Sequence, residues 1–188
     1  IAHVDVGGGL GIPYHHDEAA PPDPVAYAEI VRRHVAPLGV SLVLEPGRLI
    51  VGNAGILVTR VEYVKEGEKT FVIVDAAMND LIRPTLYEAH HDVQPVVHSN
   101  KPRIKADIVG PVCETGDYLA QDRSIEGVEE GDLLAIMSAG AYGAVMASSY
   151  NSRPLVPEVL VDGDRWHVIR ARPSIEALIG LDSVPDWL

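Results

Sequence analysis

Glu45 and Arg48 stand three residues apart in EPGRLIVGNAG, on either side of a Pro-Gly pair that neither a helix interior nor a central strand accommodates. The apolar run VSLVL leads straight into them, so an acid and a base ride on a turn at a strand's end. A second β-rich run, His3 to Val6, ends in Gly7, Gly8 and Gly9. Their bare backbone N–H groups can close on a phosphate, because no Cβ blocks the approach. An ordinary flexible turn fits GGGLG as well. A dinucleotide fingerprint does not fit: counted from Gly7, the G-x-G-x-x-G/A pattern needs Gly or Ala at position 12, where the chain has Ile12. For EPGR the alternatives are a pocket shared with the glycines and a surface salt bridge.

Further along, GPVCETGD carries Cys113 and Glu114. A lone cysteine is more often a small buried apolar residue. Here Glu114 and Asp117, with Gly110, Pro111 and Gly116, make the setting polar and rich in turns. In MNDLIRPTLY, Arg83 and Tyr87 are four apart and become neighbours if the segment forms one helical turn with Pro84 at its start; a solvated charge and a half-buried ring are the alternative. In SAGAYGAVMASSYN, Tyr142 lies among small residues, where a phenol can approach a ligand or simply pack. The doublets His15-His16 and His90-His91 invite a metal, but adjacent side chains diverge and no carboxylate sits at ligand spacing, so no metal is expected.

These groups need a scaffold. The chain has 188 residues, 47% of them hydrophobic but only 5% aromatic, which predicts a core of Val, Ile, Leu and Ala. Lys plus Arg number 15 against 27 Asp plus Glu, a net charge of −12 that repels a phosphate backbone and an anionic membrane alike. One cysteine excludes an intrachain disulfide and a cysteine-based zinc cluster, and fits a reducing, cytoplasmic setting. No apolar run reaches the ~18 residues of a membrane span. The sequence opens without Met and directly in a strand pattern, the expectation being a fragment.

Asp23 offers an N-cap and Pro24 the first helical position, while Val25, Ala28, Val31, Val35 and Leu38 recur at helical spacing and Pro37 and Gly39 close the segment. Residues 1–45 therefore read as strand, helix, strand, a βαβ unit with a parallel sheet. In a (β/α)8 barrel, catalytic groups sit at the C-terminal strand ends, and phosphate sites favour the last two loops. Beyond residue 55 the texture turns to strands: ILVTRVEYV, FVIVDAA, then segments near 103–112, 132–138 and 155–169, the last a hairpin turning at DGD. A closing helix starts at Ser174. The boundary falls near residue 50, between an α/β unit and an antiparallel β domain.

Taken in order, DVGGGLGIPY, LEPGR, MNDLIRPTLY, GPVCETGD, SAGAYG and MASSYNSRP with EVLVDG resemble the C-terminal half of the diaminopimelate decarboxylases, pyridoxal-phosphate enzymes of the alanine-racemase-like fold. The likeness runs from residue 3 to about residue 170.

The resemblance implies that residues 1–48 are the last two βα units of a (β/α)8 barrel and that 49–188 form the C-terminal β domain with its terminal helix. It implies a cytoplasmic homodimer with shared active sites that converts meso-2,6-diaminopimelate to L-lysine and CO2, the last step of lysine biosynthesis. By the same match, Gly7, Gly8 and Gly9 cradle the cofactor phosphate, Glu45 faces the pyridine nitrogen, and Gly47 fixes the turn. Arg48 reaches phosphate and substrate, and Tyr142 touches both cofactor and substrate. Cys113, from the other subunit, returns a proton to the substrate. Arg83 pairs with the distal carboxylate, Glu114 takes the distal ammonium, and Tyr87 supports them.

The family's cofactor lysine lies on an early barrel strand, and Lys65, Lys69, Lys101 and Lys105 match no such motif, so these residues alone are not expected to catalyse. Other readings are an ornithine- or arginine-type decarboxylase, a non-catalytic regulatory homologue, and an independent β-rich ligand-binding module.

Overall fold

A computed structural model describes residues 1–15 and 20–188. In it, β1 (His3–Asp5) and β2 (Ser41–Val43) pair in parallel, with Val4 opposite Leu42. Helix α1 (Pro24–Val35) makes the crossover. The Asp23 carboxylate accepts the Val25 N–H at 3.1 Å, and Pro24 takes an early position where its missing N–H costs nothing. Arg32, Arg33 and His34 fall in the last turn, against the negative end of the helix dipole. A short 3-10 turn then ends at Gly39, whose φ of 65° is open to glycine without penalty. The βαβ unit stands as the pattern predicted.

At EPGR the expected turn is the start of a helix. Pro46 occupies the N-cap position of α2 (Gly47–Val51), where a residue without an N–H loses nothing, and the 3-10 turn Gly52–Ala54 leads on to β3 (Leu57–Lys65). After β3 come β4 (Thr70–Val74), α3 (Arg83–Tyr87), β5 (Val93–Pro95), β6 (Arg103–Val109), β7 (Tyr118–Glu126) and β8 (Leu133–Ile136). The six strands form one sheet in the order β5-β8-β3-β4-β6-β7, and edge strands β5 and β7 approach each other, so the sheet curls nearly closed.

This sheet is mixed, which corrects the expectation of an antiparallel domain. Strands β4 and β6 run parallel, with Val72 opposite Ile108, because the intervening chain passes through α3 and then β5 at the sheet's far edge before returning beside β4 in the same direction. Strands β5 and β7 were not expected from the pattern. The final hairpin, β9 (Glu158–Asp162) with β10 (Arg165–Arg170), turns at Gly163 with φ 62°, and α4 (Ile175–Ile179) starts where Ser174 Oγ accepts the Ala177 N–H.

The core fills the curl of the sheet. Val61, Val72, Ile108, Leu119, Leu134 and Ile136 are all fully buried in it, and every member is Val, Ile, Leu or Ala, as the low aromatic content required. Among the described residues no helix is long and apolar enough to cross a membrane.

Candidate active site

Two strand ends meet first. The Val6 N–H donates to Val43 O and the Glu45 N–H donates to Gly7 O at 2.9 Å, so the parallel pairing of β1 and β2 continues one step into their loops. Gly8 then passes against the backbone of Glu45: a Cβ on Gly8 would lie 2.2 Å from Glu45 O. Gly9, with φ 87°, has open space where its Cβ would be. Gly7 has φ 70°, and its N–H is already spent on Asp5 Oδ1 at 2.7 Å. Of the three glycines, Gly8 and Gly9 therefore keep N–H groups that no protein acceptor claims among the described residues.

Beside Gly9 lies a cavity of about 380 Å3 walled by Leu10, Glu45, Gly47, Arg48 and Tyr142. A larger groove of about 590 Å3 runs under α1 past Gly7, Gly8, Val31, Leu42 and Leu44 and holds no acid. Of these two, the smaller cavity is the one in which acid, guanidinium and phenol converge.

Tyr142 reaches that cavity from the far end of the chain through glycines that the motifs did not single out. The Ala139 N–H donates to Gly55 O at 2.8 Å and the Gly140 N–H to Gly52 O at 3.0 Å. The approach is so close that a Cβ on Gly140 would lie 1.9 Å from Val51 O. Tyr142 itself takes φ 58°, a costly conformation for a residue with a side chain, and its ring lies 5.4 Å from the Arg48 guanidinium carbon.

Arg83 stands at the start of α3, where Pro84 fits, and is only 6% exposed. Its NH1 donates to His91 Nε2 at 2.9 Å, and His91 Nδ1 donates to Met137 O at 2.8 Å, which fixes the neutral tautomer. The remaining N–H donors of Arg83 have no acceptor among the described residues. Its guanidinium carbon lies 4.8 Å from the Tyr14 ring, and that of Arg48 lies 5.8 Å from the same ring.

Burial pushes the His91 imidazole down to about 4, and the neighbouring Arg83 charge adds to the effect. A histidine depressed in the folded state binds its proton more readily when unfolded, so this stability is whole above pH 6.5 and is lost as pH falls towards 4. Denaturant titrations across that window are expected to lose roughly 3 kcal/mol on this account. His91→Gln keeps a donor and an acceptor without a titrating group, and is expected to remove that part of the slope.

Cys113 and Glu114 sit exposed on the loop of residues 110–117. Buried Asp117 shapes that loop: its carboxylate accepts the N–H of Met78 at 2.7 Å and of Val112 at 2.5 Å. Burial raises the Asp117 carboxyl above its ordinary range, and the two N–H donors work against that rise. Thr85 Oγ1 donates to Gly116 O, which docks the loop onto α3 beside Tyr87.

Gly9, Glu45, Gly47, Arg48 and Tyr142 thus share one cavity, and Arg83 joins them through the Tyr14 ring. Tyr87, 61% exposed, with Cys113 and Glu114, does not line it. Tyr14 and His91 are the additions. Tyr14 ends the DVGGGLGIPY motif, and His91 belongs to a doublet weighed only as a metal ligand. His16, of the other doublet, lies outside the described residues.

A cavity that offers an acid, a guanidinium, a phenol and the open Gly9 N–H, with that of Gly8 in the adjoining groove, suits a ligand with an anionic group and a basic ring nitrogen. Residues 14–140 match the family model described as pyridoxal-dependent decarboxylase, C-terminal sheet domain. The chain belongs to that family. Within it, the diaminopimelate decarboxylase of Neisseria meningitidis serogroup A is 55% identical over 94% of this chain and 43% of its own length. That of Zymomonas mobilis is 51% identical over 100% of the chain and 45% of its own. The solved diaminopimelate decarboxylase of M. jannaschii, in co-complex with L-lysine, superposes with a TM-score of 0.93 at 38% identity, covering 100% of this chain and 44% of that one. The chain therefore spans less than half the length of the family members it matches.

Proposed function

We propose that the full-length protein containing this chain is a pyridoxal-phosphate-dependent carboxy-lyase that converts meso-2,6-diaminopimelate to L-lysine and CO2. The observation that carries this reading is the cavity shared by Gly9, Glu45, Arg48 and Tyr142, in a chain about half identical to enzymes named for that substrate. Residues 1–48 are read as the last two βα steps of a (β/α)8 barrel, and 49–188 as the β domain that closes over it. The enzyme is read as a cytoplasmic homodimer with active sites shared across its interface and no nucleic-acid or membrane partner.

Bound pyridoxal phosphate supplies a sink for the electron pair left when CO2 departs. Glu45 holds a proton on the pyridine nitrogen by stabilising the resulting cation. The N–H groups of Gly8 and Gly9 and the guanidinium of Arg48 bind the phosphate, and Gly7 serves that loop by fixing its bend. Gly47 admits the backbone at the head of α2, and Tyr142 orients cofactor and substrate together.

Arg83 offers a planar fork to the distal carboxylate, Glu114 accepts from the distal ammonium, and Tyr87 supports both. Cys113, reaching in from the partner subunit, returns a proton to the carbon that lost CO2. Its exposure on this chain agrees with service in a neighbouring site.

The test is the purified full-length protein with pyridoxal phosphate and meso-diaminopimelate. Formation of L-lysine with an equal amount of CO2 is the expected outcome. Faster CO2 release from ornithine or arginine would replace this reading with the polyamine type.

A further inference from the structure

We infer that His91 is a positioning residue for substrate recognition: as an uncharged acceptor it aims the Arg83 guanidinium without neutralising it, and the positive charge stays available to the substrate's distal carboxylate. This rests on the role proposed above for Arg83 and adds the group that sets its direction.

The backbone carries His91 to that place. Glu88 closes α3 with a left-handed φ of 52°, and the N–H groups of Glu88 and Ala89 both turn back to Arg83 O, which reverses the chain. The Met137 N–H donates to Asp92 O at 2.8 Å and ties the returning segment to the end of β8. His91 itself is fully buried, its Nδ1 donates to Met137 O at 2.8 Å, and the Tyr14 ring packs edge-on against it at 5.4 Å. With the proton on Nδ1, Nε2 presents a lone pair, and Arg83 NH1 donates to it at 2.9 Å. One arm of the guanidinium is thereby fixed to the backbone at Met137 through a ring that is itself held on two sides.

A carboxylate at this place would also accept from Arg83, but it would pair with the guanidinium and compete with the ligand. The imidazole aims and does not compete. Burial first, then the Arg83, His90 and Arg123 charges, keep a second proton off the ring against the pull of Met137 O. Arg83 makes no ion pair among the described residues, so its charge is left for a ligand.

The experiment uses the full-length enzyme with pyridoxal phosphate bound, and two probes: L-lysine, the product that keeps the distal carboxylate, and 1,5-diaminopentane, the same chain without one. Dissociation constants are measured by calorimetry, beside steady-state kinetics on meso-diaminopimelate. His91→Leu is expected to weaken L-lysine about tenfold or more and 1,5-diaminopentane less than about threefold. It should raise KM for diaminopimelate by a similar factor, with kcat changed less than about threefold. His91→Gln, an uncharged acceptor, is expected to stay within about threefold of native throughout, whereas His91→Glu, of nearly the same shape, weakens L-lysine about tenfold or more.

A role in core filling alone would weaken both probes alike or neither. Parallel losses for the two probes in His91→Leu, or equal L-lysine affinities in His91→Gln and His91→Glu, would overturn the inference. Should His91→Leu fail to fold, the comparison of Gln with Glu decides alone. Arg83→Ala separates the two levels: if it leaves L-lysine binding untouched, the parent reading fails and this inference with it. Loss in Arg83→Ala with none in His91→Leu removes only the His91 inference. In the double variant, His91→Leu is expected to add less than about threefold to the Arg83→Ala loss, because its effect passes through Arg83; fully additive losses would overturn the inference.

Discussion

In the full-length enzyme, Arg83→Ala is expected to lower kcat/KM for meso-diaminopimelate by about 1,000-fold or more, while the visible absorbance of the bound cofactor persists. Arg83 is 6% exposed and spends one donor on His91, and the rest of its fork has no acceptor among the described residues. A carboxylate that arrives there gains charge-assisted bonds, and a substrate lacking one leaves them unmade. Removal of the fork thus takes away binding specific to the far end of the substrate, a place distinct from the cavity at Glu45. Arg83→Lys is expected to recover only part of the loss, because a single ammonium cannot form the paired bonds of a planar guanidinium. Stopped-assay kinetics on both variants, with cofactor absorbance recorded on the same samples, check the prediction. Turnover within threefold of native for Arg83→Ala would remove this residue from substrate recognition.

The second large effect is expected at Gly8. An added methyl would stand 2.2 Å from Glu45 O, backbone against backbone, so one of the two loops must move. A displacement near 1 Å at a reacting centre costs about 100-fold, and here it shifts the phosphate donors and the acid together. Gly8→Ala should therefore weaken cofactor binding by about 100-fold in an absorbance titration. Gly9→Ala should do less, because its Cβ meets nothing and the cost is the left-handed φ of 87° alone, about 1–2 kcal/mol. Equal affinities for the two variants would show that the close passage at Glu45 is not what holds the loop.

Much of this arrangement was legible in the residues. Asp23 and Pro24 marked the start of α1, Gly39 marked its end, and the DGD turn set the last hairpin, since each rests on local backbone chemistry. Strand β7 was hidden by its own irregularity. Asp122 takes φ 53° and the pairing with β6 shifts register, so Leu119 and Ala120 are buried side by side and the two-residue alternation breaks. Strand β5 is three residues long and ends in Pro95, too short and too poor a donor to register as a pattern. The parallel pairing of β4 with β6 depends on where α3 sends the chain, which no local signal encodes.

Within the site, the residues flanking turns were readable by type, as with Glu45, Arg48 and Tyr142. What escaped was contact across distance. The N–H of Gly7 is consumed by Asp5, and Tyr14 is a ring serving two cations contributed by separate elements. Gly140 is required by the backbone at Val51, 89 positions away in the chain. Only the folded arrangement supplies these facts.

A crystal structure of the full-length enzyme with pyridoxal phosphate tests the central claim most directly. The account predicts the pyridine nitrogen within hydrogen-bonding distance of the Glu45 carboxylate and the phosphate on the N–H groups of Gly8 and Gly9. A cofactor bound outside the cavity of Glu45, Arg48 and Tyr142, or bound there with its ring nitrogen turned away from Glu45, would contradict it.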